Sequence, residues 1–418
     1  MAPSSTVWSP TGDGRIPKAR YISPAFLRLE LDYIFSRAWL VAGPLADVAR
    51  PGDYFTFELG EESVIVVRND DGVKAFHNAC AHRGRLLREP GHGHARTFRC
   101  PYHLWEYGLD GALERLPEPE CFAATFQGER PRLRPVAAEA WGGFVWVNFA
   151  DDPEPLTEFL GPVAARLALY KLEEYALVED QTVDLPCNWK VGVDAFNEAY
   201  HLRAVHPQLL QMLDEQHVQQ ELLGRHSCIR VPFGLASPNV RDRESVNDLL
   251  KYMLTEAGLD PARYTGTASE VRGTIQRALR QRADFDLSGL SDDQLSDNHQ
   301  YYVFPNLTLN IYATKHMLLR HRPHPTDPNR MLLDQQQYVR IARGSRPQQR
   351  PKPEKFAYGK GSLGFVTDQD TFNLVRVQRG MRVSGFEGLL LGENEGRIRH
   401  MHRTIDEYLG RYAREATI

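Results

Sequence analysis

Residues 80–103 read CAHRGRLLREPGHGHARTFRCPYH, and this stretch decides how the first part of the chain folds. It contains two short motifs, Cys80-Ala81-His82 and Cys100-Pro101-Tyr102-His103, with seventeen residues between them. Each motif offers one thiolate and one imidazole, which are strong metal ligands. The spacing therefore predicts two tight loops that lie side by side and bind metal together.

The mixed composition of each loop indicates which metal group is bound. In a Rieske [2Fe–2S] cluster two cysteines bind one iron and two histidines the other, which makes the cluster easier to reduce. A structural zinc site more often takes two cysteines from one loop and two histidines from the other. We therefore predict a cluster held by Cys80, His82, Cys100 and His103, with zinc as the alternative. His92 and His94 are expected to be exposed loop residues, and His77 a strand end.

The pattern around these loops predicts a small, strand-rich module. Phe55, Phe57 and Leu59 alternate with polar residues, and the Asp151–Pro155 run marks a boundary. We assign residues 1–40 to an N-terminal arm and helix, 41–155 to the module and 156–418 to a second domain. Helical and strand periods alternate in that domain, which predicts an α+β fold with an antiparallel sheet.

Composition narrows the possible functions. The 418 residues carry 50 basic and 54 acidic side chains, a balance that gives no reason to expect nucleic-acid binding. No apolar run is long enough to cross a membrane, and the N-terminus lacks a signal peptide. The five cysteines are too few and too scattered for a disulfide framework. We therefore expect a cytoplasmic protein.

A second group of ligand types lies in NWKVGVDAFNEAYHLRAVHP, residues 188–207. His201 and His206 are able to bind one metal if the helix distorts after the first, and Glu198 precedes His201 by three residues. Oxygen-activating iron takes two histidines, one carboxylate and open positions. Asp370, near the start of a predicted helix, is the best carboxylate, with Asp368 a weaker competitor. Such histidines are also common as surface or packing residues.

In combination, the two groups identify a resemblance. The Cys-x-His…Cys-x-x-His pair, the Asn-Trp-Lys…Tyr-His-x4-His stretch and the late Asp…Val-Gln-Arg-Gly resemble the α (large, catalytic) subunit of Rieske non-haem iron aromatic-ring-hydroxylating oxygenases over nearly the whole chain. The resemblance implies an all-β Rieske [2Fe–2S] domain inserted in a helix-grip (START/Bet v 1-like) catalytic domain. It also implies that His201, His206 and Asp370 bind a mononuclear Fe(II).

The resemblance further implies an electron path between neighbouring subunits of a trimer. A carboxylate joins a cluster histidine of one chain to an iron histidine of the next. Glu198 stands at this bridging position, between His103 and His201. Many relatives have Glu-Asn where this chain has Asp194-Ala195, so Asp194 competes with Glu198 for the role. Gln369 replaces an acidic residue that often precedes the ligand aspartate.

The implied function is a terminal oxygenase that uses O2 and electrons from a separate NAD(P)H-dependent reductase, through a ferredoxin or directly. A β subunit is an open possibility. The substrate is a small organic molecule, with an aromatic compound expected first. The alternatives are a monooxygenase or N- or O-demethylase of the same family, an electron-transfer protein without oxygenase activity, and a zinc-stabilised binding protein. The Phe-Asn-Glu-Ala-Tyr-His form also resembles relatives that act on amines.

The substrate pocket has the weakest signal in the sequence. We expect residues 242–300 to cover its entrance. The basic run that contains Arg320 and Arg322 is expected to be a solvated strand face, with a carboxylate-binding site as the alternative. Six side chains near the predicted metal helix and the following strands are candidates for the pocket lining: Phe196, Asn197, Val205, Asn306, Thr308 and Asn310.

Overall fold

A computed structural model describes residues 11–12, 14–126, 129–345 and 349–415. The chain divides into two compact units. One runs from Phe35 to Phe159, and the described residues on either side of it form the other. None of the helices in the described part of the chain combines the length and apolar character that a membrane span requires.

The Phe35–Phe159 unit is built on two antiparallel sheets. Its core contains the two cysteines of the predicted cluster, packed with Phe76, Phe98 and Trp105. A short helix, Ala123–Phe126, follows the smaller sheet. In spatial order, the seven strands of the larger sheet are Leu40–Pro44, Phe144–Asn148, Pro135–Trp141, Gly72–His77, Glu62–Asn69, Asp53–Leu59 and His92–His94, and those of the smaller are Phe98–Arg99, Glu106–Tyr107 and Leu113–Arg115.

An eight-stranded sheet dominates the other unit. All of its neighbouring strands pair antiparallel except Tyr175–Leu185 and Glu354–Ala357, which pair parallel. The α+β class with an antiparallel sheet is therefore confirmed. A separate two-stranded pair joins Ile16–Pro17 to Gly388–Leu389. The strand order of the large sheet is Gln219–Leu223, His226–Val231, Asn298–Val303, Leu307–Ile311, Lys315–Pro323, Met331–Arg340, Tyr175–Leu185 and Glu354–Ala357.

Several helices connect the strands of this sheet along the chain, and some of them pack against it. The helix Trp189–Phe196 lies so close to the sheet that a Cβ on Gly192 would be 2.5 Å from Nδ1 of His321. Glycine is therefore required for this approach. The α-helices in chain order are Ala19–Ile22, Pro24–Glu30, Leu156–Leu160, Pro162–Ala168, Trp189–Phe196, Leu202–Val205, Asp248–Glu256, Val271–Arg280, Asp292–Ser296, Phe365–Met381 and Gly396–Glu415, the third ending at the unit boundary.

Two helical predictions were wrong in detail. The sequence of residues 189–206 predicts an extended start that turns helical further along, whereas the helix begins at Trp189 itself, because the Asn188 side chain caps it by accepting a hydrogen bond from Lys190 N–H. The helix predicted from Asp370 begins earlier, at Phe365, after Gly364 with a φ of 91°. Asp370 is therefore held inside a regular helix rather than at its frayed end.

Candidate metal centres and substrate cavity

The two cysteine–histidine loops have the same backbone design. In each, the cysteine N–H donates to the carbonyl of the fifth residue along, and the fourth residue donates its N–H back to the cysteine carbonyl. That fourth residue is Gly84 in one loop and Leu104 in the other, with φ of 73° and 61°. The left-handed conformation costs a leucine about 1–2 kcal/mol. Two short sequences thus fold into matched loops that hold Cys80 and Cys100 alike.

The two cysteines of these loops are buried, whereas the two histidines are partly exposed. Cys80 is buried, and its Sγ is 3.2 Å from the hydroxyl of Tyr107. The ring centroids of His82 and His103 are 4.6 Å apart, and His82 stacks on Trp105 at 4.7 Å. Nδ1 of His82 is buried without a hydrogen-bond partner. An unpaired imidazole nitrogen in this position fits a metal ligand.

The side chains of the two loops are arranged as a cysteine pair and a histidine pair. Cys80 and Cys100 belong to the same buried core cluster, and the rings of His82 and His103 adjoin each other. A Rieske cluster takes its four ligands in this way, with the two cysteines on one iron and the two histidines on the other. In the described part of the chain, His201, His206 and Asp370 form a second group, whose ligand atoms all lie within 4.8 Å of one another.

The second group brings together residues that are far apart in the sequence. Nε2 of His206 is 2.8 Å from Oδ1 of Asp370, and Nε2 of His201 is 3.7 Å from the same oxygen. The His206 and Asp370 side chains are almost fully buried, at 2% and 5% exposure. The helix that ends at Phe196 gives way to the short helix Leu202–Val205. This break lets two histidines five residues apart present Nε2 to one point.

Neighbouring side chains fix the orientation of both imidazoles. Oε1 of Glu198 lies 2.5 Å from Nδ1 of His201, and Oε1 of Gln369 lies 2.9 Å from Nδ1 of His206. Each oxygen accepts an Nδ1–H, which leaves Nε2 free for a metal. Burial lowers the pKa of His201, but the hydrogen bond and charge of Glu198 outweigh it and raise the pKa overall. In the sequence, Gln369 stood out only as a departure from the family pattern, and nothing there indicated this role.

Asp194 lies in a different, buried network. Its Oδ2 accepts a 2.6 Å hydrogen bond from the Tyr21 hydroxyl, which is also 2.7 Å from Nε2 of His402. Burial raises the pKa of Asp194 to about 7. Nearby, Lys190 and Glu30 form a fully buried ion pair at 2.5 Å. The side chain of Asp194 thus accepts from Tyr21, whereas that of Glu198 accepts from His201.

A cavity of about 300 Å³ opens beside the second group. Glu198, His201, His206 and Asp370 form one end of its wall. This volume is at the lower end for small-molecule sites. The remaining lining is mostly apolar, with four amides and one lysine: Ala195, Phe196, Ala199, Leu202, Leu209, Leu213, Ile229, Val231, Phe233, Asn298, Gln300, Asn310, Tyr312, Lys315, His316, Met317, Gln337 and Val366.

Two of the six predicted lining residues, Phe196 and Asn310, face the cavity. Asn306 does not, because its amide donates to the carbonyl of His321. Thr308 lies on the same face of the sheet as Asn310 but two residues further along. The predictions for Asn197 and Val205 were also wrong, since neither residue lines the cavity.

The helices within residues 242–300 line a neighbouring space, and from this range only Asn298 and Gln300, on a strand, line the cavity itself. Tyr252 and Ile275 line a second space of about 150 Å³, which shares Phe233, Tyr312 and Lys315 with the first.

Asp368 lies away from the metal-type group, and its carboxylate accepts from Ser362 Oγ and Leu363 N–H.

The prediction that the basic run forms a solvated strand face was wrong. Arg320 and Arg322 are only 11% and 13% exposed, and both bind the buried carboxylate of Asp334 at 2.7 Å. Burial lowers the pKa of both His316 and His321 to about 3, so these imidazoles are neutral. The arginines are therefore already paired within the fold, and the run offers no carboxylate-binding site.

Sequence analysis also missed a polar row beside the cavity. Asn298 and Gln300 have the alternating spacing of one strand face, and Gln300 pairs across the sheet with Asn310. Arg397 donates to Gln300 from the C-terminal helix. The amide spacing was visible in the sequence, but the arginine is almost a hundred residues away and gave no signal.

Comparison with known proteins agrees with this arrangement. Residues 172–411, more than half of the chain, match the family model of the ring-hydroxylating α subunit (catalytic domain), and residues 38–127 match the Rieske [2Fe–2S] domain. The chain is 35% identical over 210 residues to the glycine betaine monooxygenase oxygenase subunit of Chromohalobacter salexigens, covering 49% of this chain and 46% of that protein. It is 31% identical over 218 residues to the large oxygenase component of salicylate 5-hydroxylase from Ralstonia sp, covering 49% and 52%.

These matches span about half the length of the curated relatives. Among solved structures, a quaternary ammonium Rieske monooxygenase in complex with L-carnitine superposes with a TM-score of 0.69 at 19% identity, covering 94% of this chain and 95% of that one. Naphthalene 1,2-dioxygenase from Rhodococcus sp. bound to indole gives 0.67 at 19% identity, with 94% of each chain covered. The chain belongs to the ring-hydroxylating α-subunit family of Rieske non-haem iron oxygenases, with a Rieske [2Fe–2S] domain and a catalytic domain that binds mononuclear iron.

Proposed function

We propose that this protein is the oxygenase component of a monooxygenase system that hydroxylates or demethylates a small organic substrate. The observation that carries the proposal is the meeting of His201, His206 and Asp370 at the wall of a cavity of substrate size. When bound there, iron would activate O2 at its open positions, with electrons supplied through the Rieske cluster.

The residues of the chain prepare this site before any substrate arrives. Glu198 and Gln369 hold a proton on Nδ1 of His201 and of His206, so that both Nε2 atoms face Asp370. The apolar lining, with Leu209 as an example, excludes water from the end where the ligands meet. We assign metal binding to these three residues and positioning to Glu198 and Gln369.

Electron delivery is proposed to use Glu198 as a bridge between subunits. Its Oε1 accepts from His201, and its Oε2 accepts from His201 N–H and Tyr200 N–H. A carboxylate has about four lone-pair positions, so Glu198 is able to accept one more N–H. We propose that His103 of a neighbouring subunit supplies it within a homotrimer. Asp194 is not proposed for this role, because its contact is with Tyr21.

The domain roles and partners follow from the same proposal. The strand-rich segment 41–155 would carry the cluster, and residues 1–40 and 156–418 the iron and the substrate. A separate reductase, with or without a ferredoxin, would supply the electrons. Relatives named as monooxygenases of glycine betaine and carnitine favour monooxygenation. Dihydroxylation of an aromatic hydrocarbon is the second candidate, favoured by the fold shared with naphthalene 1,2-dioxygenase.

Iron content separates an oxygenase from a simple electron carrier. We expect one iron per chain beyond the two of the cluster, measured by metal analysis together with the visible spectrum of the cluster. His201→Ala should lose only the additional iron. A wild-type protein that holds just the two cluster irons after anaerobic reconstitution would contradict the proposed function.

A further inference from the structure

A row of side chains across the large sheet forms one wall of the cavity. Ile229 pairs with Gln300, Gln300 with Asn310, Asn310 with Met317 and Met317 with Gln337. Directly opposed residues of an antiparallel sheet point to the same face. All five line the cavity. A substrate in the cavity therefore contacts two apolar and three amide side chains in a fixed order.

A buried arginine sets the direction of the hydrogen bonds in this row. Arg397 is fully buried, and its guanidinium donates to Oε1 of Gln300 at 3.1 Å. Burial lowers the pKa of Arg397 to about 10, so it remains protonated at neutral pH. A protonated guanidinium has only donors. The Gln300 carbonyl must therefore face Arg397, and its Nε2 donates to Oδ1 of Asn310 at 3.1 Å.

The direction of these hydrogen bonds also fixes the orientation of the Asn298 and Asn310 amides. Nδ2 of Asn298 also donates to Oδ1 of Asn310 at 3.1 Å, so that oxygen accepts two hydrogen bonds. Nδ2 of Asn310 and Oδ1 of Asn298 are then left buried without a partner in the protein. An unsatisfied buried amide atom costs about 1–3 kcal/mol. Asn298 and Asn310 both line the cavity, so a ligand that reached these two atoms would satisfy one donor and one acceptor.

Charges around the cavity are already matched. Within the described residues, Asp370 belongs to the proposed metal group, Glu198 accepts hydrogen bonds from His201, and Lys315 Nζ is 2.5 Å from Glu256. A carboxylate on the substrate would have to compete with Glu256 for Lys315. An additional charge in the cavity would therefore be desolvated without a free counter-charge.

The aromatic corner of the cavity is unsuited to a cation. Phe233 and Tyr312 are nearly perpendicular, with ring centroids 5.8 Å apart. Such a pair of rings is able to hold a quaternary ammonium group. However, the ammonium of Lys315 already lies 6.0 Å from the centre of the Tyr312 ring. A second cation at this corner would be repelled by it.

We propose that the substrate is a neutral, mainly apolar molecule with one hydroxyl or carboxamide group, which accepts from Asn310 and donates to Asn298. The proposal rests on the proposed function and names its substrate class. It differs from what the names of the betaine and carnitine relatives suggest, because those compounds are charged. Asn298 and Asn310 then act as specificity residues that contact substrate at the wall of the cavity.

Five ligands that share a benzene ring and differ in the attached group test the proposal without turnover. Binding to the oxidised protein is measured by calorimetry for benzyl alcohol, benzamide, toluene, benzoate and benzyltrimethylammonium. We expect the alcohol and the amide to bind at least tenfold more tightly than the other three. Tighter binding of the ammonium or the carboxylate, equal binding of toluene, or no binding by any of the five would overturn the proposal.

A matched variant tests the direction of the amide row. Asn310→Asp keeps the oxygen that accepts from Asn298 and Gln300 and replaces the donor by a second acceptor. Affinity for benzamide should fall about tenfold, and affinity for benzyltrimethylammonium should rise. Asn394→Asp adds the same charge at an exposed position and should change neither. Unchanged ligand preference in a folded Asn310→Asp protein would contradict the role of Asn310.

The outcome is independent of the test of the proposed function. Metal analysis reports on His201, His206 and Asp370, whereas the ligand panel requires neither reductase nor oxygen. A protein with the additional iron but without the neutral-ligand preference would contradict only the substrate class. A protein with the preference but without that iron would contradict the oxygenase.

Discussion

The two proposed ligand groups of this protein are built in opposite ways. Cys80, His82, Cys100 and His103 come from one stretch, and two matched loops with the same backbone hydrogen bonds hold them. His201, His206 and Asp370 come from a broken helix and from a second helix more than 160 residues later. Local sequence thus suffices for the first group, whereas the second depends on correct packing of distant helices.

The largest expected effects come from removing one ligand in each group. Cys100→Ser should abolish the visible absorption of the cluster and all turnover while the additional iron remains, because the two groups do not share a residue. His206→Ala should abolish turnover and the additional iron while the cluster absorption remains. Metal analysis and visible spectroscopy of both variants check this. Loss of both metals in His206→Ala would show that the groups are not independent.

Glu198→Gln distinguishes metal binding from electron transfer. The amide is still able to accept from Nδ1 of His201, so both metals should be retained. Turnover should fall at least a hundredfold, because a neutral amide no longer couples the two imidazoles. Single-turnover reduction of the iron, followed after the cluster has been reduced, is the measurement. Glu221→Gln, at a half-exposed ion pair with Arg166, is the control and should keep full activity. Undiminished turnover in Glu198→Gln would contradict the bridge.

The likeness of the two loops is tested by substituting the residue with positive φ in each of them. Gly84→Ala should lower the free energy of unfolding by about 1–2 kcal/mol, because the alanine must adopt a φ near 73°. No other atom lies within 4 Å of the added Cβ, so sterics do not contribute. Leu104→Gly should relieve the same strain in the other loop. Chemical denaturation of both variants measures their free energies of unfolding. A change of the same sign in both variants would contradict the comparison.

The buried Asp194 is expected to make the stability of the fold depend on pH. Its pKa of about 7 in the folded chain exceeds the usual unfolded value of about 3.9. Between these values the folded chain holds a proton that the unfolded chain has released, so stability falls as the pH rises from about 4 to 7. Asp194→Asn should flatten this part of the stability curve, measured as the midpoint of thermal unfolding. The exposed Asp152→Asn should keep the slope; an unchanged slope in Asp194→Asn would contradict the assignment.

The sequence predicted the elements with a local signal. The α+β class, the strand-rich module and the family follow from short-range periodicity and from two compact motifs. The start of the helix at Trp189 was missed because the cap by Asn188 was not recognised. Arg320 and Arg322 were placed on a solvated face because their partner, Asp334, lies on the neighbouring strand.

The sequence by itself determined that this chain holds a Rieske cluster, because all four predicted ligands lie within residues 80–103 and both loops within residues 80–105. Only the tertiary structure decided that Asp370, and not Asp368, meets the two histidines, since residues two apart on a helix point to nearly opposite sides. It also decided the polarity of the cavity wall. Hydrogen-bond direction passes from Arg397 through Gln300 to Asn310, and such a relay exists only once a helix and two strands have come together.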